Sequence, residues 1–118
     1  MKDEVKVCLI GSGRAGMIHG HNFAGSVPGG KIIAVCDPVG DVAENAAKEL
    51  GIDLFYKDYI DVMKNEDIDA VIIACPTKFH KEITVAAANA GKHIFCEKPM
   101  AMNEEECDEM IEAARRIM

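Results

Sequence analysis

The chain has no surplus of positive charge: 13 Lys and Arg stand against 20 Asp and Glu in 118 residues, a formal net charge of −7. Nucleic-acid binding rests on neutralised phosphates, so a chain without a basic face points away from that partner. No apolar run approaches the ~20 residues of a membrane span, and Lys2-Asp3-Glu4 lacks the pattern of a signal peptide. These absences predict a cytoplasmic protein with neither nucleic acid nor membrane as partner. The cysteines at positions 8, 36, 75, 96 and 107 contain no C-x-x-C pair and are odd in number. They read as reduced small hydrophobes, four of them within predicted strands, rather than as a metal site. The histidines His19, His21 and His93 form no triad with carboxylates at metal-ligand spacing. Internal repeats, low-complexity tracts and interdomain linkers are also missing, so residues 1–118 read as one domain, long enough to bury a core.

What is present is organised around Val5 to Gly20, VKVCLIGSGRAGMIHG. A short apolar run leads into three glycines with G-x-G-x-x-G spacing, and a helical pattern follows. Gly11 suits a tight turn out of a strand, Gly13 removes a Cβ where a pyrophosphate would approach, and Gly16 lets the new helix pack closely. The helix start would aim free N–H groups and the positive dipole end at phosphates, with Ser12, Arg14 and Ala15 completing the turn. Three glycines alone also make ordinary loops. The context strengthens the pattern, because the run Ile32-Ile33-Ala34-Val35-Cys36 ends in Asp37, a carboxylate placed to bind ribose hydroxyls. That carboxylate repels a 2′-phosphate, and Pro38-Val39-Gly40-Asp41 offers no cation in compensation, so NAD is expected over NADP. Arg14 suits an adenine or phosphate contact, or an ordinary solvated side chain.

Apolar runs and helical patterns then alternate. Strands are predicted at Val5 to Ile10, Ile32 to Cys36, Leu54 to Tyr56, Asp69 to Cys75 and His93 to Cys96. Helices are predicted from about Ala15 to Phe23, from Val42 to Leu50, after Asp58, after Thr77 with Phe79, Ile83, Ala86, Ala87 and Ala90 on one face, and at the C-terminal end. Asp41 with Glu44 and Asn103 with Glu106 resemble capping boxes, and Gly51 suits a C-terminal cap. The last helix would bury Cys107, Met110, Ile111, Ala114 and Ile117. Strands alternating with helices predict an α/β Rossmann fold, a doubly wound parallel sheet of about five strands in order 3-2-1-4-5. The ligand is then expected at the switch point between the first and fourth strands.

GSGRAG after the first strand, VCDP after the second, ACPTKFH after the fourth and AGKHIFCEKP around the fifth together resemble the N-terminal half of the Gfo/Idh/MocA oxidoreductases, the relatives of glucose-fructose oxidoreductase and inositol 2-dehydrogenase. The resemblance covers essentially the whole chain, and Glu97-Lys98-Pro99 is its most specific part. It implies NAD(P)-dependent hydride transfer to or from a sugar or polyol hydroxyl. It implies that Lys98 is the active-site lysine near the nicotinamide, where a lysine hydrogen-bonds the substrate oxygen and favours its deprotonation. By spacing alone Lys98 reads as a solvated loop residue. Glu97 would bind the nicotinamide ribose or pair with Lys98. Pro76 and Thr77 would pass the cofactor ribose, although Thr77 is equally suited to capping a helix. His80 matches a family histidine and is thereby a candidate cofactor contact, although its ordinary reading is a helix-terminal or core histidine with satisfied nitrogens. Family members continue into a sixth strand and a substrate domain, which are not in this sequence. The chain is therefore expected to bind a dinucleotide but to turn over sugars feebly alone, as a fragment or as a non-catalytic binding module. The fifth strand's free edge, or the exposed face of the last helix, is expected to favour a homo-oligomer. A methyltransferase shares the glycine-rich turn and the acid, but E-K-P and Gly16 argue against it.

Overall fold

In the computed structural model, residues 4–25, 29–39, 41–96 and 104–115 are described. Five parallel strands form one sheet: β1 (Val5–Ile10), β2 (Gly30–Cys36), β3 (Leu54–Tyr56), β4 (Ala70–Ile73) and β5 (His93–Cys96). Their order is β3-β2-β1-β4-β5, as the alternating pattern predicts. Parallel neighbours need crossovers, and these are α1 (Arg14–Gly25), α2 (Val42–Leu50), α3 (Tyr59–Lys64) and α4 (His80–Asn89), the last preceded by a 3-10 turn over Thr77–Phe79. A final helix, α5 (Glu104–Arg115), follows β5. Among the described residues no helix is long and apolar enough to cross a membrane.

Both faces of the sheet are covered, which is why the central strands read as continuous apolar runs. On one face Cys8, Ile10, Val71 and Ile73 pack with Val62 of α3 and with Ile83 and Ala87 of α4. On the other, Val7, Leu9, Ile32, Val35 and Ile72 meet Ala43, Ala46 and Leu50 of α2. The β1–β2 ladder slips once: Val7 pairs with Ile32 but Cys8 pairs with Ala34, leaving Ile33 as an extra residue. Ile33 and Ala34 consequently both belong to the α3/α4 side.

Local chemistry sets the element ends. Gly51 adopts a left-handed conformation (φ 73°) and closes α2, as its position predicts. Asp58 caps α3 by accepting from the Ile60 N–H at 2.9 Å. The capping box at α2 does not form: Asp41 stands at the N-cap position, but its side chain makes no cap hydrogen bond. Its backbone is near-helical there (φ −97°, ψ 13°), and the Val42 N–H donates to the Val39 carbonyl at 3.0 Å. Asn103 and Ile117 lie outside the described residues.

Two helical faces differ from expectation. On α4 the buried set is His80, Ile83, Thr84, Ala87 and Ala88, whereas Phe79 and Ala90 are exposed. On α5, Met110 and Ala113 are buried and Ile111 is exposed. α5 packs along α4, with Lys81 and Glu109 joined at 3.0 Å. The neighbouring helix, not residue size, selects which stripe is covered.

Candidate functional site

The carboxyl ends of β1, β2 and β4 converge on the turn after β1. Gly11 has φ +96°, a conformation that favours glycine, and a Cβ there would lie 2.5 Å from the Cys75 backbone nitrogen. A Cβ on Gly16 would lie 2.0 Å from the Gly11 carbonyl oxygen, so the helix start rests directly on the turn. Gly13 differs: a Cβ there would meet nothing within 4 Å. The first and third glycines are therefore required by the chain itself, and the middle one faces open space. The first intrahelical bond runs from Met17 N–H to the Gly13 carbonyl at 2.9 Å, so the amides of residues 14–16 precede the helical ladder.

Asp37 is buried at the end of β2. One carboxylate oxygen accepts from the Ser12 N–H at 3.1 Å and the Ser12 hydroxyl at 3.2 Å, and the other accepts from the Val39 N–H at 3.0 Å. The acid thus fixes the glycine turn as well as standing beside it. Gly11, Gly13, Asp37, Val39 and Pro76 border one cleft of about 870 Å³, a volume suited to a dinucleotide.

Strand register brings further residues to this cleft that the sequence reading did not single out. Asp37 N–H donates to the Tyr56 carbonyl at 3.0 Å, which places Lys57 next to it; Lys57, Tyr59 and Glu82 all line the cleft. The in-register pairing of Cys36 with Tyr56 brings Lys57 to the cleft, and no spacing in the sequence carries that register. The Tyr59 hydroxyl donates to Glu82 at 3.4 Å, and burial, followed by the Glu82 charge, raises its phenol above the ordinary value.

Two thiols also line the cleft. Burial, then the neighbouring Asp37 charge, pushes Cys36 up to about 12, and burial pushes Cys75 to about 11. Both are protonated at neutral pH and behave as small apolar residues. No disulfide joins the described cysteines.

His80 turns inward. It is 1% exposed, with Nε2 2.7 Å from the Cys75 carbonyl and Nδ1 3.3 Å from Cys96 Sγ, and it is not among the cleft-lining residues. Glu97 and Lys98 lie outside the described residues, as do the side chains of Arg14, Ala15 and Thr77.

A sheet in order 3-2-1-4-5, a glycine turn at its switch point and a buried acid ending β2 define a Rossmann domain of the dinucleotide-binding class. The chain belongs to the Gfo/Idh/MocA oxidoreductase family, NAD-binding Rossmann fold, whose family model matches residues 5–117. It is 42% identical over 106 residues to scyllo-inositol 2-dehydrogenase (NAD(+)) of Bacillus subtilis, an alignment that covers 90% of this chain and 31% of that protein. It is 37% identical to levoglucosan dehydrogenase of Pseudarthrobacter phenanthrenivorans, covering 94% of this chain and 30% of the relative. Among solved structures, scyllo-inositol dehydrogenase from Lactobacillus casei with bound NAD(H) and scyllo-inositol superposes with a TM-score of 0.89 at 34% identity, covering 97% of this chain and 34% of that one. The chain spans about a third of the length of the relatives it matches.

Proposed function

We propose that residues 1–118 are the NAD-binding domain of a dehydrogenase that moves hydride between the cofactor and a ring hydroxyl of an inositol or related sugar. The observation that carries this reading is the fixed carboxylate of Asp37, held by two backbone amides and the Ser12 hydroxyl at the edge of the cleft. The residues fit the cofactor: the space beside Gly13 accepts a pyrophosphate, the amides at the start of α1 face it, and the carboxylate meets the adenosine ribose. An ionised carboxylate has about four acceptor sites, of which three are in use. The Ser12 hydroxyl is a rotor and yields its site to a ribose hydroxyl, whereas the two amides hold the acid in place. Lys57 in the same cleft is exposed and solvated, so the buried acid governs the choice of NAD over NADP.

The substrate class rests on the relatives, which act on inositols and levoglucosan. Lys98 is the residue we assign to the reacting hydroxyl, with Glu97 at the nicotinamide ribose. Bound NAD supplies the hydride acceptor; efficient turnover also needs a positioned sugar. The cytoplasm is the proposed compartment, and association of copies through the outer edge of β5 is the proposed assembly, since no described strand pairs with that edge.

Calorimetric titration with NAD, NADP and S-adenosylmethionine tests the reading. Saturable NAD binding is expected, weaker NADP binding, none for S-adenosylmethionine, and a loss of about 10-fold or more for NAD in Asp37→Ala. Binding of none of the three, or of S-adenosylmethionine alone, would overturn it.

A further inference from the structure

His80 is the first residue of α4, yet its ring is buried against Cys75 and Cys96 and does not line the cleft. A carbonyl oxygen can only accept, so the Nε2 atom 2.7 Å from the Cys75 carbonyl carries the proton. In the neutral ring Nδ1 is then the acceptor, and the Cys96 thiol 3.3 Å away is its donor. One imidazole therefore bridges the chain just beyond β4 to the last residue of β5.

Each end of that bridge adjoins the proposed site. The Cys75 peptide lies against Gly11, close enough that a Cβ would meet its nitrogen at 2.5 Å, and Pro76 follows it into the cleft. Cys96 directly precedes Glu97-Lys98 in the sequence. With the adenosine ribose at Asp37 and the pyrophosphate at the glycine turn, the second half of a dinucleotide must cross the switch point toward β4 and β5.

We infer that His80 is a positioning residue: it touches neither cofactor nor substrate, and its ring, donating from Nε2 to the Cys75 carbonyl and meeting Cys96 at Nδ1, holds the ends of β4 and β5 in the relative placement that the nicotinamide half of the cofactor requires. This rests on the dinucleotide reading above. The two arms are separable because an Asn amide overlays the Nδ1 position and a Gln amide overlays Nε2. His80→Gln keeps a donor for the Cys75 carbonyl; His80→Asn keeps only a partner for Cys96.

The test is titration of the wild type and both variants with NAD and with ADP, which lacks the nicotinamide half. Expected are tighter NAD than ADP binding in the wild type, an NAD loss of about 10-fold in His80→Asn, near-complete retention in His80→Gln, and ADP affinity within about 2-fold throughout. A wild type that binds neither ligand, or NAD no more tightly than ADP, defeats the cofactor reading itself. A wild type that prefers NAD, with His80→Asn weakening both ligands equally or neither, defeats the positioning role alone. Nitrogen-15 NMR of the wild-type imidazole decides the tautomer independently of any variant's folding. A proton on Nε2 at neutral pH supports the inference, and one on Nδ1 alone overturns it.

Discussion

The two ends of the sheet carry clefts of similar size and opposite character. At the carboxyl end the cleft of about 870 Å³ holds a buried carboxylate, an open-sided glycine and the start of α1. At the amino end a cleft of about 780 Å³ lies between Val5, Met63, Asp69 and Lys92. Lys92 is only 4% exposed, and its ammonium donates to the Asn65 carbonyl at 2.9 Å and the Ile68 carbonyl at 2.8 Å. Asp69 is also tied to the chain, since its carboxylate accepts from the Lys6 N–H at 2.9 Å. A buried charge at the amino end is spent on joining α3's exit to β4. At the carboxyl end the buried charge leaves acceptor capacity facing a cleft, with helix amides beside it. Volume does not separate a binding end from a structural end; the disposition of donors and acceptors does.

The sharpest way to break this comparison is within the glycine turn. Gly11→Ala combines a positive φ with a Cβ 2.5 Å from backbone, and a destabilisation of about 4 kcal/mol or more is expected in urea titration. Gly13→Ala meets nothing within 4 Å, so its urea midpoint should match the wild type while NAD affinity falls by about 10-fold or more. Equal stability losses in the two variants would show that the middle glycine also serves the fold. At the other end, Lys92→Met should cost about 3 kcal/mol by stranding two carbonyls, with NAD affinity of the folded fraction unchanged. A Lys92 variant that folds normally and loses NAD would move the ligand to the wrong end of the sheet.

The smallest effect concerns the thiols behind the binding cleft. Unfolded, Cys36 titrates near its ordinary 9.0; folded, it is raised to about 12, chiefly by burial. A raised value means the folded state keeps a proton that the unfolded state releases, so this stabilisation is complete below pH 9 and is lost as pH climbs toward 12. Cys8, held well above its ordinary value by burial, and Cys75, at about 11, act in the same sense. Urea midpoints should therefore drop between pH 8 and pH 10.5, and Cys36→Ala should flatten the slope. An unchanged slope would mean that the thiol reaches water at the base of the cleft.

Much of this was readable from the chain because its strands are short and punctuated. Val5–Ile10, Leu54–Tyr56 and His93–Cys96 coincide with their apolar runs, and Val42–Leu50 with its helical pattern. The strand order followed from alternation and right-handed crossovers read together with the glycine-rich dinucleotide fingerprint. The fourth strand stops at Ile73, two residues short of its apolar run, where the Ala74 and Cys75 backbone bends against Gly11. Helix phase was harder to read on α4 and α5, where alanines and a threonine share the buried stripe with His80, Ile83 and Met110 while Phe79 and Ile111 stay exposed. Hydrophobicity marks such faces weakly. At the site, Gly11, Gly16 and Asp37 were legible as individuals, but the Ser12–Asp37 bonds and the approach of Lys57 depend on register between strands. Sequence spacing contains no register.

The extra residue in β2 changes what the interval between the glycine turn and the acid means. Sequence distance from Gly11 to Asp37 counts residues, whereas the distance that a ligand measures counts rungs of the β1–β2 ladder. At Ile33 the two counts part by one, and beyond it Cys8 through Ile10 march in step with Ala34 through Cys36. The offset between the two counts is thereby set before the acid is reached. An insertion or deletion upstream of Ala34 need not turn the carboxylate to the wrong side of the sheet, so the interval in such a motif can drift in length while its geometry stays fixed.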